Sequence, residues 1–393
     1  MKAKFNEELL AYAKKFFRGS LTLVFSLFIV GALSTISFAE EVGLNTTGFS
    51  GIDKADTLWV MVSTAMVMLM IPGLALFYAG MARRKNVLST MMHSFFIMCL
   101  ITIQWVLFGY SLSFGTDIGG LIGGLTFVGL NGVGTEAFGT IPHLVFMAFQ
   151  GMFAAITVAL ITGGFAERMK FSAVVIFALL WATFVYDPLC HWVWGAGGWL
   201  NELGAKDFAG GMVVHISCGV SALVAAIVVG KRRGFPKQLM APHNLGLTVL
   251  GMGLLWFGWF GFNAGSALAV NEIAAMTFVT TNVAAAIGCL TWVFIEWIHR
   301  GKPTVLGAVS GAVAGLGSIT PASGFVTPAF AMLIGIFGGA ICYWAVSVLK
   351  PRLGYDDTLD VFGIHGIGGI LGTLAIGLVA SVGGATGLFF GNP

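Results

Sequence analysis

The feature that most constrains this chain is a series of long apolar stretches, each able to cross a lipid bilayer as a helix. A transmembrane helix needs about 20 predominantly apolar residues. Ten such stretches follow the N-terminal region, at 58–80, 91–115, 142–164, 171–194, 208–230, 244–266, 272–298, 303–320, 326–349 and 361–382. Only 9% of the 393 residues are charged, against roughly a quarter in soluble domains. The sequence therefore predicts an all-α polytopic membrane protein.

The N-terminus has the pattern of a cleaved signal peptide. Basic residues precede an apolar run that ends in Ser37-Phe38-Ala39, which has the small-x-small form of a signal-peptidase site. We expect residues 1–39 to be removed and residues 40–393 to form one membrane domain. The alternative is a first transmembrane helix that is retained.

Basic residues predict the orientation of the chain. They lie in the loops after the first, third, fifth, seventh and ninth stretches, as Arg83 to Lys85, Arg168 and Lys170, Lys231 to Arg233 and Lys237, Arg300 and Lys302, and Lys350 and Arg352. The other loops hold only Lys206, and the first mature segment holds Lys54. Because Lys and Arg accumulate in cytoplasmic loops, we expect a multi-pass protein of the cell (inner) membrane with its mature N-terminus outside.

Two histidines lie within apolar, glycine-rich stretches, His215 in GGMVVHISCGV and His365 in DVFGIHGIGGI. An ionisable side chain at membrane depth is unfavourable and by default indicates a polar pathway or a proton relay. The fifth stretch enters from outside after Asp207, whereas the tenth enters from inside after Asp360, so both histidines reach the central third of the bilayer. This predicts an inverted repeat of five plus five helices with a site near the midplane. We also expect Asp207 and Asp360 to cap their helices.

Two further roles for these histidines stay open at this point. They could be buried side chains that pack and bond to the backbone, or the axial ligands of one haem. The five cysteines show no metal-binding spacing, and the basic residues are not clustered as nucleic-acid binding requires. No nucleophile–base pair is evident either. We expect no cofactor, no nucleic-acid partner and no enzymatic activity.

Read in full, the apolar segments resemble the ammonium transporter family (Amt, related to the Rh proteins). The resemblance covers nearly all of the chain after residue 56, in the family's order. It is carried by IPGLALFYAGMARRKNVL (71–88), AFQGMFAAITVALITGGFAERMKFSAV (148–174), HWVWGAGG (191–198), DFAGGMVVHISCGVSALVAA (207–226), PHNLGLTVLGMGLLWFGWFGFNAGSA (242–267), GKPTVLGAVSGAVAGL (301–316) and DVFGIHGIGGILGT (360–373).

The resemblance implies a homotrimer in the lipid bilayer with one narrow pore in each subunit, passing ammonia after it recruits ammonium at the outer mouth. Phe153, Trp194 and Ser266 correspond to the recruitment site, and Phe153 and Phe262 to a stacked phenyl gate. Phe149, one turn before Phe153, is expected to line the same approach.

The resemblance further implies that His215 and His365 are the twin-histidine pair of the pore, with Asp207 the acidic residue behind the recruitment site. Potassium has nearly the size and charge of ammonium, but it has no neutral form. An apolar constriction penalises any bare ion by several kcal/mol, whereas ammonia can enter and meet imidazole nitrogens that donate or accept hydrogen bonds. Loss of a proton is therefore a better filter than size.

Two departures from the family pattern affect these expectations. The sequence ends at Pro393, shortly after the tenth stretch, whereas the family has an eleventh helix and a cytoplasmic tail, which would be needed to bind a PII-type regulator. The alternative function is an ammonium sensor with a signalling domain beyond residue 393. The second departure is Asp187, where the family usually has an apolar residue. We expect it either to add negative charge near the outer mouth or to be a hydrated interfacial carboxylate.

Overall fold

The computed structural model describes residues 51–391, so the predicted signal peptide at residues 1–39 lies outside the described part of the chain. Within that part the polypeptide is predominantly helical. Its main helices are α1 (Lys54–Met81), α2 (Arg84–Phe114), α3 (His143–Phe165), α4 (171–194), α5 (Gly211–Val229), α6 (Leu245–Ala267), α7 (Glu272–Arg300), α8 (Val305–Ile319), α9 (Pro328–Leu353) and α10 (Phe362–Val379).

The helices match the ten predicted stretches in order, but one of them is shorter than predicted. Among residues 51–391, nine helices are long and apolar enough to cross a membrane. The exception is α8, whose 15 residues extend about 22 Å at 1.5 Å per residue, less than the bilayer core of about 30 Å. Nearly all of α8 is buried, because its glycines and alanines pack against α7, α9 and α10. The helix at the predicted stretch 303–320 is therefore present but shorter than predicted.

Several helices begin at a side chain that the sequence makes suitable for capping. The side-chain oxygens of Asp53, Asn244, Asn271 and Thr304 accept hydrogen bonds from backbone N–H groups at the starts of α1, α6, α7 and α8. These bonds satisfy donors that the first turn of a helix leaves free. They fix where each helix begins without any contribution from the bilayer.

Short irregular elements lie in the loops that follow α2 and α4. Two small antiparallel ribbons pair β1 (Asp117–Ile118) with β2 (Ile122–Gly123), and β3 (Ala137–Phe138) with β4 (Ile141–Pro142). A one-turn helix, Trp199–Glu202, follows α4. Loops after even-numbered helices share one face of the bundle, and these elements build the rim of a cavity on that face.

Charged side chains join the loops on the opposite face. Glu167 in the α3–α4 loop pairs with Arg83. Asp356 in the α9–α10 loop accepts hydrogen bonds from the Arg232 side chain, at 3.2 and 2.8 Å to Oδ1 and at 3.0 Å to Oδ2. Arg168 donates to the backbone oxygens of Gly164, Gly230 and Asp356. The loops after α1, α3, α5 and α9 are thus held together by buried ion pairs. These are the loops in which the sequence concentrates its basic residues.

Candidate functional site

A cavity of about 550 Å³ opens on the face opposite the charged loops, and we call it the vestibule. Four of the residues identified from the sequence line it: Phe153, Trp194, Asp207 and Ser266. Most of the remaining lining is aromatic. The sequence motifs, which lie on α3, α4, α6 and the α4–α5 loop, therefore converge on one cavity.

The polar groups of the vestibule have a defined orientation. The indole Nε1 of Trp194 donates to the backbone oxygen of Asp207 at 2.9 Å, and its ring meets Phe153 edge to face with centroids 6.0 Å apart. The hydroxyl of Ser266 donates to the backbone oxygen of Phe262 at 2.8 Å. Because its proton is used there, the Ser266 oxygen remains an acceptor for a hydrogen-bond donor in the cavity. Aromatic faces and a free acceptor together suit a small cation that carries N–H groups.

Two phenyl rings separate the vestibule from a deeper cavity. Phe153 and Phe262 are stacked with centroids 4.2 Å apart and an interplanar angle of 25°, and each is only 1% exposed. Phe153 lines the vestibule, whereas Phe262 lines the deeper cavity. The stack is therefore an apolar partition between the two.

The deeper cavity, which we call the lumen, contains both histidines. Its volume is about 10 Å³, close to the smallest space that holds one water-sized molecule. The Nδ1 atoms of His215 and His365 lie 3.2 Å apart, and their rings are stacked with centroids 5.2 Å apart. The rest of the lining is apolar, from residues such as Leu74, Ile156 and Val313. The predicted pairing of the two histidines is therefore present in the structure.

Close packing of α5 against α10 brings the histidines together. A methyl group added to Gly219 would lie 2.3 Å from the backbone nitrogen of Gly366, and one added to Gly369 would lie 2.8 Å from the backbone oxygen of Gly211. Only glycine permits these approaches. Each histidine also lies in a π-helical turn, Gly211–Ile216 or Phe362–Gly366, a rare geometry that is frequent at functional sites.

Asp207 caps the segment that carries His215, as predicted. Its carboxylate accepts hydrogen bonds from the backbone N–H groups of Gly210, Gly211, Met212 and Val213 at 2.6–3.2 Å. Burial raises the pKa of this carboxyl, and the four donated hydrogen bonds oppose that rise. The carboxylate is directed at the start of α5, and its residue forms part of the vestibule wall.

Asp360 does not cap α10, so that prediction is wrong. Its carboxylate pairs with Lys350 Nζ at 2.5 Å, and its backbone adopts a left-handed conformation with φ of 60°. The oxygen Oδ2 of Asp357 instead accepts from the N–H of Phe362 at 2.8 Å. Burial raises the pKa of Asp357 to about 6. Asp357 precedes His365 by eight residues, as Asp207 precedes His215, so Asp357 is the counterpart of Asp207.

Two expectations about the mouth are wrong as well. Phe149 is fully buried and packs edge to face on Phe153, with centroids 4.9 Å apart. It supports the partition from behind and does not line the vestibule. Asp187 is neither hydrated nor at the mouth, because it is 0% exposed between α2 and α4. Spacing along a helix placed both residues near Trp194 or Phe153 but could not show which way they face.

Trp259 belongs to the site but was not predicted from the sequence. Its ring stacks on His215 with centroids 5.4 Å apart, and its Nε1 donates to Thr320 Oγ1 at 2.8 Å. The sequence spacing could have indicated it, because Trp259, Phe262 and Ser266 are three and four residues apart and so share one helix face. Trp259 forms one wall of the lumen beside the histidines.

Cys218 adds a third donor near the histidine pair. One ligand atom each from His215, Cys218 and His365 lies within 4.8 Å of the others, so these three side chains could hold a soft metal ion. The two imidazoles already hydrogen-bond to each other, and the Cys218 thiol donates to the backbone oxygen of His215 at 3.5 Å.

Comparison with known proteins places this geometry in a family. The family model for the Ammonium Transporter Family matches residues 58–392. The chain is 55% identical over 348 residues to an ammonium transporter of Bacillus subtilis, covering 87% of this chain and 85% of the relative. It is 51% identical over 345 residues to an ammonium transporter of Archaeoglobus fulgidus, covering 87% and 86%. The crystal structure of Saccharomyces cerevisiae Mep2 superposes with a TM-score of 0.79 at 41% identity, covering 88% of this chain and 79% of that one. The chain is a multi-pass membrane protein that belongs to the ammonium transporter family.

Proposed function

We propose that this protein recruits ammonium in the vestibule, removes one proton from it, and passes ammonia through the lumen between His215 and His365. The observation that carries the proposal is the order of the parts. A cation-attracting cavity is separated by two stacked phenyl rings from an apolar lumen whose polar groups are two imidazoles. The Bacillus subtilis and Archaeoglobus fulgidus relatives are described as ammonium transporters, which favours transport over the sensor alternative.

The vestibule supplies binding without full selectivity. A cation against Trp194 and Phe153 gains about 0.5–2 kcal/mol, depending on how far it is desolvated. Ser266 Oγ can accept one hydrogen bond from ammonium. Potassium would share the attraction to the rings but has no hydrogen to donate. Recruitment therefore concentrates ammonium at the stack, and the rejection of potassium is left to the next step.

The phenyl stack then discriminates by charge. Ammonium transfers one proton to water in the open vestibule, and only the neutral product, ammonia, enters an apolar constriction at little free-energy cost. Beyond the stack, ammonia finds imidazole nitrogens that can donate to it and accept from it. Protonation of both histidines would place positive charge in the lumen and oppose entry of a further ammonium ion.

The predicted orientation places the vestibule outside the cell. The basic loops lie on the opposite face, joined by the Arg83–Glu167 and Arg232–Asp356 pairs, and basic loops are cytoplasmic by the positive-inside rule. The direction of the pore is thus from the outer solution through Phe153 and Phe262 to the histidines and the cytoplasm. The family resemblance further leads us to propose a homotrimer with one such pore in each subunit.

Flux through reconstituted protein tests the proposal. Liposomes that contain the wild-type chain should show a saturable, ammonium-dependent change in internal pH that protein-free liposomes lack. Ser266→Ala should raise KM several-fold with little change in kcat, because Ser266 acts before the stack. Wild-type flux equal to that of protein-free liposomes would contradict transport and would return the sensor alternative to consideration.

A further inference from the structure

A buried carboxyl group that the transport route does not use lies between α2 and α4. Asp187 follows the π-helical turn Ala182–Tyr186 and is 0% exposed. Its side chain meets that of Gln104, which is also 0% exposed and directly precedes the π-helical turn Trp105–Gly109 of α2. Gln104 Nε2 donates to Asp187 Oδ2 at 2.8 Å. Two polar side chains at membrane depth are therefore paired.

The other polar atoms of this pair include more hydrogen-bond acceptors than donors. Gln104 Nε2 also reaches Thr183 Oγ1 at 3.5 Å, so both of its N–H groups have acceptors. Asp187 Oδ1 and Gln104 Oε1 are buried, and neither has a hydrogen-bond partner. The Gln104 oxygen can only accept hydrogen bonds, and the Asp187 oxygen can only accept them when its carboxyl is ionised. The adjacent Ser113 hydroxyl donates to the backbone oxygen of Asp187 at 3.5 Å, so each of the two side-chain oxygens lacks a donor.

No cation compensates a charge at this position. Among residues 51–391 the salt bridges involve other carboxylates, and Asp187 has no Lys, Arg or His partner. Cys190 on the same helix and the Tyr186 hydroxyl interact with Asp187 and carry no positive charge. His191, one turn further along, is paired with Asp117 and the backbone oxygen of Ser113. A buried carboxylate without a counter-ion is strongly unfavourable, more so within a bilayer. The surroundings suit a neutral group.

One proton satisfies both orphaned oxygens. A carboxylic acid presents a carbonyl oxygen and an O–H on one edge, and a carboxamide presents an N–H and a carbonyl oxygen on one edge. We propose that Asp187 is a neutral carboxylic acid whose Oδ1–H donates to Gln104 Oε1, so that the two side chains form a doubly hydrogen-bonded acid–amide pair between α2 and α4. This binding site for a single proton lies apart from the histidines.

The pair has a consequence for the vestibule. Asp187 lies on α4 two turns before Trp194, and a negative charge there would add to the attraction for any cation at the mouth. A neutral Asp187 adds none. It joins α2 to α4 through hydrogen bonds. Replacement of Asp187 by a neutral residue should therefore leave the affinity for ammonium unchanged.

Infrared spectroscopy of the full chain in lipid tests the proposal without relying on transport. Wild-type protein should show a carbonyl band in the region of hydrogen-bonded, protonated carboxylic acids at neutral pH. The band should shift when aspartate is labelled with ¹³C at the carboxyl carbon and should be absent from Asp187→Asn. In the control Asp53→Asn, which removes an exposed carboxylate and keeps an oxygen that can cap the helix, only the ionised carboxylate region should change.

Two variants give an independent check on stability. Asp187→Asn keeps a neutral pair, because its Nδ2–H can donate to Gln104 Oε1, and it should unfold within about 2 °C of wild type. Gln104→Leu removes the amide and should lower the unfolding temperature by several times that amount. A carboxylate band that disappears in Asp187→Asn would overturn the proposal, as would a protonated band that survives in that variant. If Asp187→Asn fails to fold, Gln104→Leu gives a second assignment, because loss of the amide partner should move the protonated band, and an unmoved band would overturn the proposal.

Discussion

The Nδ1 atoms of His215 and His365 lie 3.2 Å apart in the lumen, so one of these nitrogens carries a hydrogen and donates a hydrogen bond, and the other accepts it. When both rings are neutral, the pair consists of opposite tautomers. One Nε2 is then an acceptor and the other carries a hydrogen. His215 Nε2 has no hydrogen-bond partner within the described residues. Ammonia both donates and accepts hydrogen bonds, so it complements such a pair.

Removal of one ring of the phenyl stack should weaken selectivity. Phe262→Ala would open the partition between vestibule and lumen and admit water, which lowers the desolvation penalty for ions. We expect potassium currents to appear or to rise at least several-fold while ammonium-dependent flux persists. Electrical recording from planar bilayers or proteoliposomes under a potassium gradient would measure this.

Phe260→Ala is the matched control for that experiment. Phe260 and Phe278 stack with centroids 4.2 Å apart, nearly the geometry of the Phe153–Phe262 stack, but they line neither the vestibule nor the lumen. This variant should remain impermeable to potassium. Equal potassium leakage in both variants would show that loss of any packed ring, and not opening of the partition, causes the change.

Loss of the observed cap of the His365 segment, Asp357, should destabilise the protein more than loss of Asp360, the cap that the sequence suggested. Asp357→Ala leaves the N–H of Phe362 without its acceptor, and loss of a cap costs about 0.5–2 kcal/mol. Asp360→Ala removes an ion pair that is partly exposed, and such pairs contribute about 0–1 kcal/mol. Thermal unfolding in detergent should therefore rank Asp357→Ala as the less stable variant. The reverse order would restore Asp360 as the effective cap.

Replacement of Arg232 should strongly destabilise the loops on the face opposite the vestibule. The Asp356 side chain is 0% exposed and its carboxylate is held by Arg232, so Arg232→Ala leaves a buried charge with only the more distant Arg168, at 3.9 Å. Loss of one partner of a buried pair typically costs about 3–5 kcal/mol. The exposed Arg352→Ala is the control. Unfolding temperatures that match between the two variants would contradict a structural role for the loop network.

Sequence patterns predicted most of the helices because membrane-spanning segments are long and continuously apolar. The start and end of α3, for example, differ by one residue from the predicted stretch 142–164. The eighth segment, 303–320, was overestimated because hydropathy does not distinguish a helix that faces lipid from one enclosed by other helices. The predicted five-plus-five repeat stays a prediction, although the matched spacing of Asp207 and Asp357 from their histidines favours it.

The site residues were predictable only as far as motifs and helical spacing reach. The family resemblance selected Phe153, Trp194 and Ser266, which line the vestibule, and Phe262, which lines the lumen; their roles stay a prediction. It could not show that Phe149 points behind the stack, since one turn of helix separates residues without fixing their exposure. Asp360 was mistaken for a cap because it directly precedes the helix. The loop folds back so that a carboxylate three residues earlier fills that position.

The central claim is that ammonia passes between His215 and His365 as a neutral molecule behind a partition that excludes ions. The most direct test is ammonium-dependent flux and potassium permeability of wild type and His365→Ala, measured on the same proteoliposome preparations. We expect saturable flux without potassium permeability in wild type. In His365→Ala we expect either loss of at least nine-tenths of the flux, about 1.4 kcal/mol in the barrier, or new potassium permeability. Flux and selectivity in His365→Ala that equal those of wild type would contradict the central claim.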